Sequence, residues 1–307
     1  MTEVVIALDV GGTGMKCALV RPDGTVQHEE RHPTRAERGP AAVTENILDI
    51  AESLAATARA GGLTPVATGI AVPGVVDEVT GVAVWSANVG FRDVPLRDLA
   101  RQRLDMPAAL GHDVRVGALA EARLGAGRGR RHVLFVAIGT GIAAGLVVDG
   151  SGYPGAHGAA GELGHVVVRP GGSVCGCGRR GCLEAESSAK SIGRRYAELS
   201  GDPEATAFDV ATRAAAGEEL AGRVWRDAIE ALADGLLTAQ ALYDVGVVVL
   251  GGGLAEAGDD LIQPVRAAVA ERITFHRSPE IVRAELGDTA GCLGAALLAL
   301  DSLQGDR

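Results

Sequence analysis

The chain has 307 residues, 47% of them apolar and 22% charged, and a net charge of −10. That is enough for one large or two medium globular domains. The acidic balance and the shortness of the basic runs at 128–132 and 179–180 argue against a nucleic-acid partner. No apolar run reaches the roughly 18 residues of a spanning helix, which argues against a membrane partner. The opening MTEVVIALDVGG lacks the basic segment, apolar run and cleavage site of a signal peptide, so the expected location is cytoplasmic. Glycine is abundant, 44 of 307, about twice the ~7% average. It clusters at the ends of apolar runs, where it marks tight turns or backbone lying close to a ligand.

In chain order, VVIAL at 4–8 is a buried strand, DVGGTG at 9–14 a glycine turn and MKCALV at 15–20 a second strand. A P-loop or dinucleotide motif would need a helix after its glycines, so a hairpin speaks against both. Asp9 ends a buried strand, where a carboxylate needs a partner, and hydrated Mg²⁺ is a natural one. Lys16 is placed either to pair with a phosphate or to stand at a strand edge. Helical periodicity follows at 40–62, a buried strand at 68–77, and a loop, SANVGF, carries Asn88. Further helices are read at 96–104 and 112–127. Asp113, near the start of the latter, suits a simple N-cap and equally a positioned base.

The phrase strand, glycine turn, strand recurs at 133–150, with Gly139, Thr140 and Gly141 aligning on Gly12, Thr13 and Gly14. This rhyme suggests two halves, each opening on a hairpin whose turn faces a shared cleft. A third glycine cluster ends the strand at 245–253. Three such turns fit a cradled nucleotide, since exposed backbone N–H groups bind phosphate oxygens. Helices are expected at 189–201, 203–218, 219–244, 261–273 and 287–303. The order of elements points to a mixed α/β fold of two lobes.

Residues 161–184 read GELGHVVVRPGGSVCGCGRRGCLE. Cys175, Cys177 and Cys182 with His165 make the ligand set of a closed structural Zn²⁺ site. The spacing C-x-C-x4-C is not that of a redox pair. Cys17 and Cys292 lie on apolar elements as inert thiols.

Together, DVGGTGMK at 9–16, Asn88 in NVGF, GELGH at 161–165 and CGCGRRGCLE at 175–184 resemble the ROK family of repressors, open reading frames and sugar kinases. Within it, the chain looks most like the bacterial, actinobacterial-type ATP-dependent glucokinases, over residues 4 to about 300. The resemblance implies an actin-like (ribonuclease H-like) duplicated fold with a deep interdomain cleft holding ATP and sugar. It implies a small lobe over 1–112, completed by a C-terminal helix at about 290–307, and a larger lobe over 113–289. It implies a kinase of the glucose 6-hydroxyl that uses ATP and Mg²⁺, with Asp113 as general base. Kinases of N-acetylmannosamine or N-acetylglucosamine, and a non-catalytic sugar-sensing regulator, are the alternatives. A regulator would carry an additional N-terminal helix-turn-helix, for which a strand at Val4 leaves no room. Asn88, His112, Asp113, Glu162, His165 and Glu184 take the sugar positions. Asp9, Gly11, Gly12, Thr13, Gly14, Lys16, Gly139, Thr140 and Gly141 take the phosphate side, and Gly252 and Gly253 the adenosine. A homodimer or homotetramer is implied as well. Two departures stand out: His112-Asp113 replaces the family's Asn-Asp, whose Asn contacts sugar, and Ile142-Ala143-Ala144 replaces further glycine after the second turn.

Overall fold

Val4, Val5, Ile6, Ala7 and Leu8 have no exposed surface, the mark of a strand covered on both faces. In the computed structural model, which describes residues 2–305, that strand is the middle of a sheet. The elements begin with β1 (Thr2–Val10), β2 (Gly14–Val20), β3 (Val26–Pro33), α1 (Pro40–Ala60) and β4 (Leu63–Val72). A small meander follows, β5 (Val75–Asp77), β6 (Val82–Trp85) and β7 (Arg92–Val94). Then come α2 (Leu96–Leu104), β8 (Ala108–His112), α3 (Asp113–Arg123), β9 (His132–Ile138) and β10 (Ile142–Val148). Next are α4 (Leu183–Ser187), α5 (Ala189–Ser200), α6 (Ala207–Ala215) and α7 (Glu219–Tyr243). The chain closes with β11 (Val247–Gly251), α8 (Asp259–Arg272), β12 (Glu280–Arg283) and α9 (Ala290–Gly305).

Two compact units are present, one of residues 2–124, 151–160 and 288–305, the other of 125–150 and 161–287. In the first, the sheet order is β3-β2-β1-β4-β8. The β1–β2 and β2–β3 pairs are antiparallel, and β1–β4 and β4–β8 are parallel. In the second, β10-β9-β11-β12 repeats the pattern, with β9–β10 antiparallel and the other two pairs parallel. The repeated order is the actin-like, ribonuclease H-like α/β arrangement. The first unit's core sets α1, through Ile47, Ala51 and Leu54, against Ile6, Leu8 and Ile70. In the second, Val224, Leu232 and Leu236 of α7 share one apolar core with Leu134, Val136 and Leu250 of the sheet. Among the described residues no helix is long and apolar enough to cross a membrane.

The division differs from the expected boundary at 112/113. Helix α3 stays with the first unit because its buried Val116, Leu119 and Ala120 pack toward α9 and β8. The strip 151–160 also belongs to that unit, and α9 completes it. Positions 1, 306 and 307 of the expected lobe lie outside the described residues. Strand β3 escapes a search for apolar runs. Its residues alternate between half-buried and exposed, and the half-buried His28, Glu30 and His32 are polar.

Helix α9 lies hard against β4. A Cβ on Gly69 would stand 2.0 Å from the carbonyl oxygen of Ala295, which is helix backbone and cannot swing away. Gly69→Val should therefore destabilise the first unit by about 1–3 kcal/mol or more. Thermal unfolding checks this; an unchanged Tm would show that the helix does not sit so close.

Candidate functional site

In the first unit, the turn after β1 is closed by Gly11 N–H donating to Gly14 O at 2.9 Å. Thr34 buttresses it twice: its hydroxyl donates to Gly11 O at 2.6 Å and its N–H to Thr13 O at 3.0 Å. Asn88, in the loop between β6 and β7, is brought to the same turn; a Cβ on Gly12 would be 3.2 Å from its Cβ. Asp9 faces Lys16 across the β1–β2 ladder. Burial holds its carboxyl above the usual range, against the pull of Lys16. The ammonium of Lys16 does not stand bare, because Asp288 accepts from it at 2.9 Å and also from Arg31 at 3.2 Å.

Asp113 opens α3 directly after β8. Its Oδ1 accepts Val114 N–H at 2.7 Å, and His112 Nε2 stands 3.3 Å from the same oxygen. The His112 ring is almost wholly buried, and burial together with the Arg115 charge pulls it down to about 3. Behind it, Glu78 accepts from Arg115 Nε at 2.9 Å, and Arg115 Nη1 donates to Gly158 O at 3.0 Å. This Glu78–Arg115 pair escaped the reading of the sequence. Its one signal was an arginine inside the apolar stretch VRVGALA, a position that demands a buried anion.

In the second unit, the turn after β9 repeats the closure of the first, with Gly139 N–H donating to Gly141 O at 2.9 Å. Glu184, from α4, reaches this turn: Ile142 N–H donates to its Oε2 at 3.1 Å. A Cβ on Gly141 would lie 2.4 Å from that oxygen, so glycine there is what lets the carboxylate in. Gly251 pairs with Ala137 on β9, which carries Gly252 and Gly253 to the same end of the sheet as Gly139, Thr140 and Gly141. An open groove of about 440 Å³ borders Thr140 and runs along α5 past Lys190, Gly193 and Arg194.

The four cysteine and histidine ligands also lie in this unit. Cys177 Sγ is 3.7 Å from Cys182 Sγ, and His165 Nδ1 is 3.6 Å from Cys175 Sγ. All four ligand atoms fall within 4.8 Å of one another. A tetrahedron with Zn–S of about 2.3 Å and Zn–N of about 2.0–2.1 Å has edges of about 3.5–3.8 Å, so the donor set fits zinc. Burial pushes Cys182 up to about 12 and also raises Cys175. The backbone N–H of Arg179 brings the exposed Cys177 down to about 6. His165 Nε2 points the other way, 3.9 Å from Glu162 Oε2. The loop carrying these residues is tied at its base. Leu183 N–H donates to Val166 O at 2.8 Å, and Ser173 N–H to Glu186 Oε1 at 2.6 Å. Arg169 pairs with Asp234 of α7.

The sequence profile of the ROK family matches residues 5–302. A glucokinase of Thermotoga maritima is 34% identical over 98% of this chain and 98% of its own length. An N-acetylmannosamine kinase of Escherichia coli O139:H28 is 33% identical over 96% of this chain and 97% of its own. The crystal structure of a ROK family glucokinase from Streptomyces griseus in complex with glucose and AMPPNP superposes with a TM-score of 0.79. It is 28% identical, covering 97% of this chain and 99% of that one.

If the four ligands bind as their spacing indicates, the protein as purified carries about one zinc per chain. Cys177→Ser should lose the metal and lower the Tm. Elemental analysis with a melting curve checks both; a zinc-free wild-type protein would remove the site.

Proposed function

Because this chain belongs to the ROK family, we propose that it is an ATP-dependent hexose kinase, and that its acceptor is the 6-hydroxyl of glucose. The observation that carries this reading is the orientation of His165. One ring nitrogen faces the cysteines and the other faces Glu162, so a single side chain serves a metal-held loop and a polar group able to take a sugar hydroxyl. Glu162, His165, Glu184 and Asn88 would hold the sugar hydroxyls. Zinc would be held by His165, Cys175, Cys177 and Cys182, and would supply rigidity to their loop rather than chemistry. Asp113 would accept the proton of the 6-hydroxyl as its oxygen attacks the γ-phosphorus and ADP departs. The N–H groups of the turns at 11–14 and 139–141 would hold the phosphates, with Gly252 and Gly253 on the adenosine. Asp9 would hold Mg²⁺ through water; the ion bound to ATP neutralises charge on the phosphates. Lys16, already engaged by Asp288, would complete the phosphate side only on leaving that partner.

The glucose reading is supported by the glucokinase relative and by the Streptomyces griseus glucokinase complex. A second reading keeps the chemistry and changes the acceptor to N-acetylmannosamine. The near-equal identity of the Escherichia coli kinase favours it. Initial rates with ATP and Mg²⁺ over glucose, mannose, N-acetylmannosamine and N-acetylglucosamine decide between them; no turnover with any would instead favour a sugar-sensing regulator. Asp113→Asn should reduce kcat by about 10²–10⁴-fold or more while sugar binding persists in calorimetry. Near wild-type turnover in that variant would refute the base. A homodimer or homotetramer is the proposed assembly, read by light scattering.

A further inference from the structure

The family's sugar-contacting Asn is His112 here, and its surroundings define a different job. A ring nitrogen that faces a carboxylate must carry the proton, because two lone pairs would repel. Nε2, 3.3 Å from Asp113 Oδ1, is therefore the protonated nitrogen of the neutral ring. Nδ1 then bears the lone pair, and it is buried with no hydrogen-bond partner. Around the ring stand Asp113 and Arg115 of α3 and Glu78 from the turn after β5. Glu78 Oε1 also lies 3.5 Å from the His112 backbone N. Packed at the β8–α3 junction with under a tenth of its surface exposed, the imidazole has little freedom to turn.

We propose that His112 is a positioning residue: its Nε2–H donates to Asp113 Oδ1 and sets the orientation and ionisation of that carboxylate. The inference rests on the reading of Asp113 as the base. Oδ1 already accepts the Val114 N–H at 2.7 Å, and the imidazole Nε2, 3.3 Å away at the side, is within reach to be its second donor. A donor to the charged form stabilises it, which keeps the base ionised to lower pH. Since burial and Arg115 keep His112 itself neutral down to about 3, it holds the same donor through the whole working range.

Three variants test this. The terminal amide of Gln can reach the place of Nε2, whereas that of Asn reaches only the place of Nδ1. His112→Ala and His112→Asn should therefore lower kcat about ten- to hundred-fold, the worth of a hydrogen bond to a charged group. Both should shift the acid limb of kcat/KM to higher pH, because a base that has lost a donor protonates more readily. The KM for ATP should stay within about twofold of wild type. His112→Gln should restore most of kcat and return the limb toward its wild-type place. A purely structural His112 would lower the Tm in all three variants and leave the acid limb where it was; that result overturns the proposal. Should Ala fail to fold, the contrast between Asn and Gln carries the test. Asp113→Asn separates the two ideas. If it keeps turnover, the base reading fails and this inference with it. If it is dead while His112→Asn matches wild type in kcat and pH profile, this inference alone fails.

Discussion

Three thiols and an imidazole within 4.8 Å of one another, two of the thiols buried, are a demanding arrangement. Left as neutral groups they make poor hydrogen bonds, and as bare thiolates they repel. A shared cation would resolve both problems, and would fix where the loop between 165 and 182 runs. Much of the second unit's polar chemistry then follows from short tethers. Glu162 precedes His165 by one turn, and Glu184 follows Cys182 by two residues. Glu184 also reaches back to the amide of Ile142, so the cysteine-bearing loop is joined to the glycine turn after β9. Displacing the loop would disturb both.

The first unit meets a comparable problem with fixed charges. Asp9, Glu78 and Arg115 all lie where a lone charge would be costly. Glu78 and Arg115 neutralise each other beneath the β8–α3 junction. Asp9 is the exception. Lys16, its neighbour across the ladder, is directed to Asp288, and burial outweighs the remaining attraction. A carboxylate with so little local compensation suits a place where a cation is to be brought in by a ligand.

How legible all this was depends on the range of the interaction. The glycine turns at 11–14 and 139–141 could be read because strand periodicity and glycine clustering are local signals. The clustering of His165, Cys175, Cys177 and Cys182 could be read because thiol and imidazole chemistry is rare enough that eighteen residues suffice to state it. Strand β3 was not legible: its pairing with β2 is made by backbone, while its half-buried face is polar. The extent of the first unit was not legible either, since α3 joins it by packing toward α9, more than 160 residues away. The Glu78–Arg115 pair and the engagement of Lys16 by Asp288 are likewise long-range, and no spacing announces them.

By itself, the sequence determined the fold class, the duplicated strand and turn, and the grouping of three cysteines with a histidine, since periodicity, backbone freedom and side-chain chemistry are all carried by neighbouring residues. Only the tertiary structure decided which way each side chain faces. It turned Nδ1 of His165 to the cysteines and Nε2 to Glu162, brought Glu184 to the turn at Gly141, and set the His112 ring against Asp113. Those orientations come from packing of elements distant in sequence. Burial then decides the rest: it leaves His112 neutral and Asp9 hard to ionise, and so gives ordinary side chains their particular chemistry.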